Sequence, residues 1–148
     1  VFGRLKVLDL SCCHCLNATP DFAMAPNLVK LILDECSNLK EVDDSIGFLK
    51  KLVFLSMREC VSLEKLPNKI HELSSLVVLI LEGCIRLVAF PQFPPRSSTN
   101  GLSNLKELIL RDCESLEFIP QVHEFQSLRS LYIDGCQSLD HRRKHLFE

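Results

Sequence analysis

The sequence predicts an α/β solenoid. This is a right-handed superhelix with a parallel β-sheet on its concave face and short helical, 3-10 or extended returns on its convex face. Three observations predict it. Leucine occurs 27 times in 148 residues, and six of the eight cysteines close the same nine-residue string. From one such cysteine to the next the spacings are 23, 24, 24, 29 and 23 residues. A fixed period of that size marks a repeat architecture, in which each unit buries its apolar side only against its neighbours.

The six strings cover residues 5–13, 28–36, 52–60, 76–84, 105–113 and 128–136. The second reads Leu28-Val29-Lys30-Leu31-Ile32-Leu33-Asp34-Glu35-Cys36, and the fifth reads Leu105-Lys106-Glu107-Leu108-Ile109-Leu110-Arg111-Asp112-Cys113. Met57 and Ile133 replace the third leucine in two copies, and each cysteine is followed three residues later by Leu16, Leu39, Leu63, Leu87, Leu116 or Leu139. This is the leucine-rich-repeat pattern, so the chain reads as one array of about six coils spanning 1–148. Around the second and third leucines, apolar and variable residues alternate with the period of two that a strand requires. The leucines therefore point to one face and the residue between them to the other. Parallel strands stacked about 4.8 Å apart cover one another's leucines and give a continuous core.

Between strings the chain must return. Leu66, Ile70 and Leu73 have helix-like spacing, but the segment is too short for an independent helix, so one short α or 3-10 turn per coil is expected. In the first coil Pro20 and Pro26 interrupt that pattern, and an extended return is expected there. The fourth coil holds Phe90-Pro91-Gln92-Phe93-Pro94-Pro95-Arg96-Ser97-Ser98-Thr99-Asn100-Gly101, which accounts for the 29-residue spacing and predicts a protruding loop insertion over 91–104. That loop reads as a tolerated insertion, with Ser97 and Ser98 as its candidates for contact or phosphorylation.

An even number of cysteines suggests disulfides in a small secreted protein, but six of these occupy one repeat position. Neighbouring copies would lie about one strand spacing apart with parallel side chains, whereas a disulfide needs Cβ atoms about 3.8 Å apart and pointing together. Cys13, Cys36, Cys60, Cys84, Cys113 and Cys136 are therefore expected as inward thiols, packing as small hydrophobes and bonding weakly to the backbone of adjacent coils. The run Cys12-Cys13-His14-Cys15 has no second Cys/His pair at zinc-site spacing, and Cys13 points inward while Cys12 and His14 do not. No metal or other cofactor is expected.

The remaining classes fall away on composition. Net charge is −2 with pI near 6.2, and the longest apolar run, Leu76 to Leu81, is far shorter than the roughly 20 residues that span a bilayer. Neither nucleic acid nor membrane is expected as a partner, and the basic stretch His141-Arg142-Arg143-Lys144-His145 reads as a solvated tail. Phosphate-cradling GxxxxGK(S/T) and GxGxxG strings do not occur. The five histidines stand in no fixed relation to a nucleophile, so the chain reads as non-enzymatic. Asn17-Ala18-Thr19 fits a glycosylation sequon, a weak signal on its own.

The expected function lies on the concave sheet, whose outward residues are free of packing duty. One outward column holds Lys30, Phe54, Val78 and Glu107 after Val7, and the next holds Ile32, Ser56, Ile80, Ile109 and Tyr132 after Asp9. The apolar members predict a contiguous interaction patch facing water. Beside it, the two positions before each cysteine supply Asp34, Glu35, Glu59, Glu82, Asp112 and Asp134 against Arg58 and Arg111, a strip expected to attract a basic partner surface.

More than the repeat is recognisable. Thr19-Pro20-Asp21-Phe22, Pro26-Asn27-Leu28, Leu31 to Leu39 with its central Cys36, and Asp44-Ser45-Ile46-Gly47-Phe48-Leu49-Lys50-Lys51-Leu52 resemble the repeat region of plant TIR-NB-LRR disease-resistance proteins. That resemblance covers essentially the whole chain. It implies a segment of a cytoplasmic or nucleocytoplasmic immune receptor whose partners are a pathogen effector or guarded host protein and, within the parent chain, the nucleotide-binding domain it restrains. TIR and nucleotide-binding motifs are absent from these residues, so NAD cleavage and nucleotide binding do not carry over. The alternative resemblance is to the substrate-binding repeats of F-box ubiquitin-ligase adaptors, which also carry cysteine-bearing repeats. An extracellular ectodomain is disfavoured by the lack of a glycine-isoleucine-proline step. With no polar capping repeat at either end, the chain is expected to be a fragment of a longer array, with exposed core at both ends and marginal solubility alone.

Overall fold

The structure is a computed structural model that describes residues 1–92, 102–120 and 125–139. Most of the expected loop over 91–104, including Ser97 and Ser98, lies outside the described residues, as do His123 and the basic tail.

Each string forms one short strand: β1 Val7–Asp9, β2 Lys30–Ile32, β3 Phe54–Ser56, β4 Val78–Ile80, β5 Glu107–Ile109 and β6 Ser130–Tyr132. They pair in sequence order, all parallel and without a register shift, so that Leu8, Leu31, Leu55, Leu79, Leu108 and Leu131 stand in one row. The result is the expected solenoid, about five turns carrying a six-stranded sheet. Backbone bonding runs past the strands: Leu33 N donates to Ser56 O at 2.8 Å and Glu35 N to Arg58 O at 2.7 Å, and the same two bonds recur in the other coils. A sparser parallel ladder links the returns through Ala18 with Glu41, and through Lys65, Ala89 and Phe118.

The core follows the repeat. Leu31, Leu33, Leu39, Leu55, Met57, Leu63, Leu79, Leu81 and Leu87 have no exposed surface, because each has a coil on both sides. At Leu5, Leu8, Leu10 and Leu16 in the first coil burial is only partial.

All three described helical returns are 3-10, and the first corrects the expectation of an extended path in coil one. Phe22–Met24 forms a 3-10 turn after Pro20, with Asp21 accepting from Ala23 N at 2.9 Å. Pro26 falls beyond the turn, and Pro20 ends before it begins, so neither breaks it. The buried Phe22 is held by its own amide, which donates to Ser45 Oγ of the next coil at 2.8 Å. Asp44–Phe48 is capped in the same way by Asp43, which accepts from Ser45 N at 3.0 Å, and Ile70–Glu72 follows Pro67 with no side-chain cap. Among the described residues no helix is long and apolar enough to cross a membrane.

Five of the six repeat cysteines are buried, and each thiol donates to a main-chain carbonyl of the preceding coil. The bonds run from Cys36 to Leu10, Cys60 to Leu33, Cys84 to Met57, Cys113 to Leu81 and Cys136 to Leu110, at 2.8 to 3.1 Å. The thiol thus does what was expected of it, filling a small apolar space while satisfying a turn carbonyl. Burial pushes the Cys60 thiol up to about 12 and raises Cys84 as well.

Candidate binding face

Every residue expected on the face belongs to a strand or to the turn that leaves it, so the in-register pairing sets them in columns. The first outward column runs Val7, Lys30, Phe54, Val78, Glu107 and Ser130, and the second runs Asp9, Ile32, Ser56, Ile80, Ile109 and Tyr132. Within them, Lys30 lays its ammonium 4.8 Å from the centre of the Phe54 ring.

Burial differs from the sequence expectation at two of these positions. Ser56 is 1% exposed and Ile80 4%, although both were expected to face water. They lie mid-sheet with in-register neighbours on both sides. Ser56 also turns its hydroxyl to Asp34 Oδ1 at 2.6 Å. Ile32, Phe54, Val78, Ile109 and Tyr132 remain half-buried, so the apolar surface is a set of partly covered ridges rather than one open patch.

The acidic strip is likewise subdivided. Asp34 is consumed locally, because its Oδ1 also accepts from Arg58 N at 2.9 Å. Glu82 faces Arg58 at 3.6 Å and Asp134 faces Arg111 at 3.0 Å, while the Arg111 guanidinium lies 4.4 Å from the centre of the Tyr132 ring. Glu35, Glu59 and Asp112 stay exposed and form no ion pair among the described residues.

A shared backbone feature sets where those three lie. Cys12, Glu35, Glu59 and Asp112 have φ between 56° and 62°, and Gly83 and Gly135 at the same repeat position have φ of 78° and 79°. The left-handed conformation reverses the chain sharply after the strand, and the Glu59 and Asp112 carboxylates lie over the glycines of the next coil while the Glu35 carboxylate meets the Cys12 thiol of the preceding one. Sequence reasoning missed this, though glycine at that position in two of the six copies was a readable signal. At the glycines a neighbour fills the space: a Cβ on Gly83 would clash with the Glu59 carboxylate, and one on Gly135 with the Asp112 carboxylate.

The cysteine-rich run does not converge. Cys12 is exposed with its thiol on Glu35 Oε2 at 3.2 Å, a bond that raises its pKa, while His14 Nδ1 lies 3.0 Å from Ser37 Oγ. Cys13 is half-buried against the core and Cys15 is exposed. Away from the sheet, a pocket of about 220 Å³ lies among the returns, lined by Thr19, Glu41, Asp43, Asp44, Lys65 and Asn68. Three of its polar side chains are committed to structure: Asp43 caps a 3-10 turn, Asp44 Oδ1 accepts from Asn68 N at 3.1 Å, and Thr19 Oγ1 accepts from Asp43 N at 2.8 Å.

No family model matches the chain. Among solved structures it is similar to the leucine-rich repeat domain of the type III effector XopL, with a TM-score of 0.53 and 26% sequence identity. The match covers 84% of this chain and 51% of that one, so the chain spans about half the length of its structural neighbour. With the register of its six strands, that likeness establishes the chain as a leucine-rich-repeat solenoid.

Proposed function

We propose that this chain is a protein-recognition module that engages its partner through the outward face of the sheet. One observation carries the reading. Six in-register strands hold Ile32, Phe54, Val78, Ile109 and Tyr132 half-exposed on the side away from the leucine core, where they pack no core of their own. The ridges are rigid, since each strand is bonded to its neighbours beyond both ends, so little ordering entropy opposes binding. The reading is non-enzymatic, supported by a solenoid packed with leucine along its whole described length.

Within that class, the resemblance of Thr19 to Leu52 to plant disease-resistance receptors supports a sensor segment of an intracellular immune receptor. Its partner would be a pathogen effector or a guarded host protein, and its second role restraint of a nucleotide-binding domain in the parent chain. A pull-down against a panel of effectors, made with the wild-type chain and with a Phe54→Ala, Ile109→Ala, Tyr132→Ala variant of unchanged melting temperature, tests it. Loss of binding by the variant is expected. Retention of full binding by the folded variant would place the site elsewhere.

A further inference from the structure

The net charge of −2 conceals a separation of charge across the sheet. Consider the residues that flank the first leucine of each string, two before it and one after it. They form the edge at which the chain enters the strands. Arg4, Lys6, Lys50, Lys51, Lys106 and Arg129 fall there, with no acid among the positions. All six are exposed, and none is in an ion pair among the described residues. The edge at which the chain leaves the strands carries the opposite sign. Its two arginines are already held by Glu82 and Asp134, which leaves Glu35, Glu59 and Asp112 exposed and in no ion pair among the described residues.

Geometry keeps the two edges from cancelling. At about 3.3 Å per residue, the six steps from Lys106 to Asp112 separate them by about 20 Å, more than two Debye lengths at physiological salt. A partner therefore meets a cationic edge, a band of apolar ridges and an anionic edge in succession along the strand direction. A uniformly basic or uniformly acidic segment gains at one edge and is repelled at the other.

We infer that the partner is a protein segment that crosses the sheet along the strands and is polarised in the opposite sense, with carboxylates over the Lys6, Lys51, Lys106 edge and cations over Glu35, Glu59 and Asp112. The inference rests on the reading of the sheet as a binding face and adds the orientation and charge pattern of what it binds. Size argues for a partner that reaches both edges. Five strand spacings of about 4.8 Å by about 20 Å give a footprint of about 500 Å² per partner, within reach of a transient complex, whereas one edge alone offers less than half of that. For the same reason a second copy docking edge to edge is disfavoured.

Three labelled heptapeptides test it by fluorescence anisotropy with the full chain. All have Leu-Tyr-Leu at the centre, flanked by two lysines on one side and two glutamates on the other, by lysines on both sides, or by glutamates on both sides. At 50 mM salt the polarised peptide is expected to bind at least about tenfold tighter than the other two, with the advantage lost at 500 mM. Reversing the upstream edge with Arg4→Glu, Lys6→Glu, Lys50→Glu, Lys51→Glu, Lys106→Glu and Arg129→Glu makes both edges acidic, and the preference should pass to the all-lysine peptide. Adding Glu35→Lys, Glu59→Lys and Asp112→Lys should restore the preference for the polarised peptide. If those reversals impair folding, Glu35→Gln, Glu59→Gln and Asp112→Asn should still weaken the polarised peptide. Equal binding of all three peptides, still abolished by Ile109→Ala with Tyr132→Ala, would overturn the polarity while leaving the binding face. Absence of binding by any peptide would overturn both. Self-association of the chain at 50 mM salt that either edge reversal abolishes would name a second copy as the occupant and also overturn the inference.

Discussion

The thiol of Cys60 donates to the carbonyl of Leu33 one coil back at 3.1 Å, and Leu33 O also accepts from Cys36 N of its own coil at 3.3 Å. One carbonyl thus closes the turn of its own coil and fastens the next. Repeated down the array, this joint spaces the coils through thiol–carbonyl bonds between free cysteines and the backbone. Replacing Cys60 with alanine removes the second bond and leaves a small void, so a loss of about 1 to 2 kcal/mol is expected. Urea unfolding measures it, and an unchanged midpoint would show the joint to be dispensable.

The same joint predicts a response to alkali. Burial raises the Cys60 thiol from 9.0 to about 12, so its folded pKa lies above that of the unfolded chain. The stability it contributes is complete below about pH 9 and is lost as pH climbs toward 12. Melting temperature should fall over that window, and it should fall less steeply in a Cys60→Val variant. A variant with the same slope would assign the alkaline loss to other groups.

At Gly83 the left-handed φ of 78° and the Glu59 carboxylate both oppose a side chain. Gly83→Ala is expected to cost about 1 to 2 kcal/mol. Its counterpart, Glu59→Gly, relieves a left-handed non-glycine residue and should stabilise by up to about 1 kcal/mol while removing an exposed acid from the sheet edge. Chemical denaturation of the two variants should therefore shift in opposite directions, and two shifts of the same sign would refute this account of the turn.

Asp43 reaches Ser45 N, and its side-chain and backbone bonds with Ser45 hold its carboxyl below the usual aspartate range. Its contribution is present above the unfolded pKa near 3.9 and is lost as pH falls through the depressed folded value. Asp43→Ala should cost about 1 kcal/mol at neutral pH and progressively less in acid. Asp21, which caps the first 3-10 turn, should behave alike at neutral pH when replaced by alanine. Circular dichroism melts across the acid range provide the check.

Local pattern was enough for much of this molecule. The spacing of leucines and cysteines placed all six strands, their parallel order, the inward thiols and the outward columns, because a period-two string set in a fixed repeat can bury its leucines in only one way. Whatever depends on the neighbouring coil was not legible. The burial of Ser56 and Ile80, the pairing of Arg58 with Glu82 and of Arg111 with Asp134, and the 3-10 turn at Phe22 next to Ser45 join residues about one repeat apart. A repeat period says which positions become neighbours. Which side chain covers, bonds or neutralises another is decided only when the coils stack and compete for the same few ångströms.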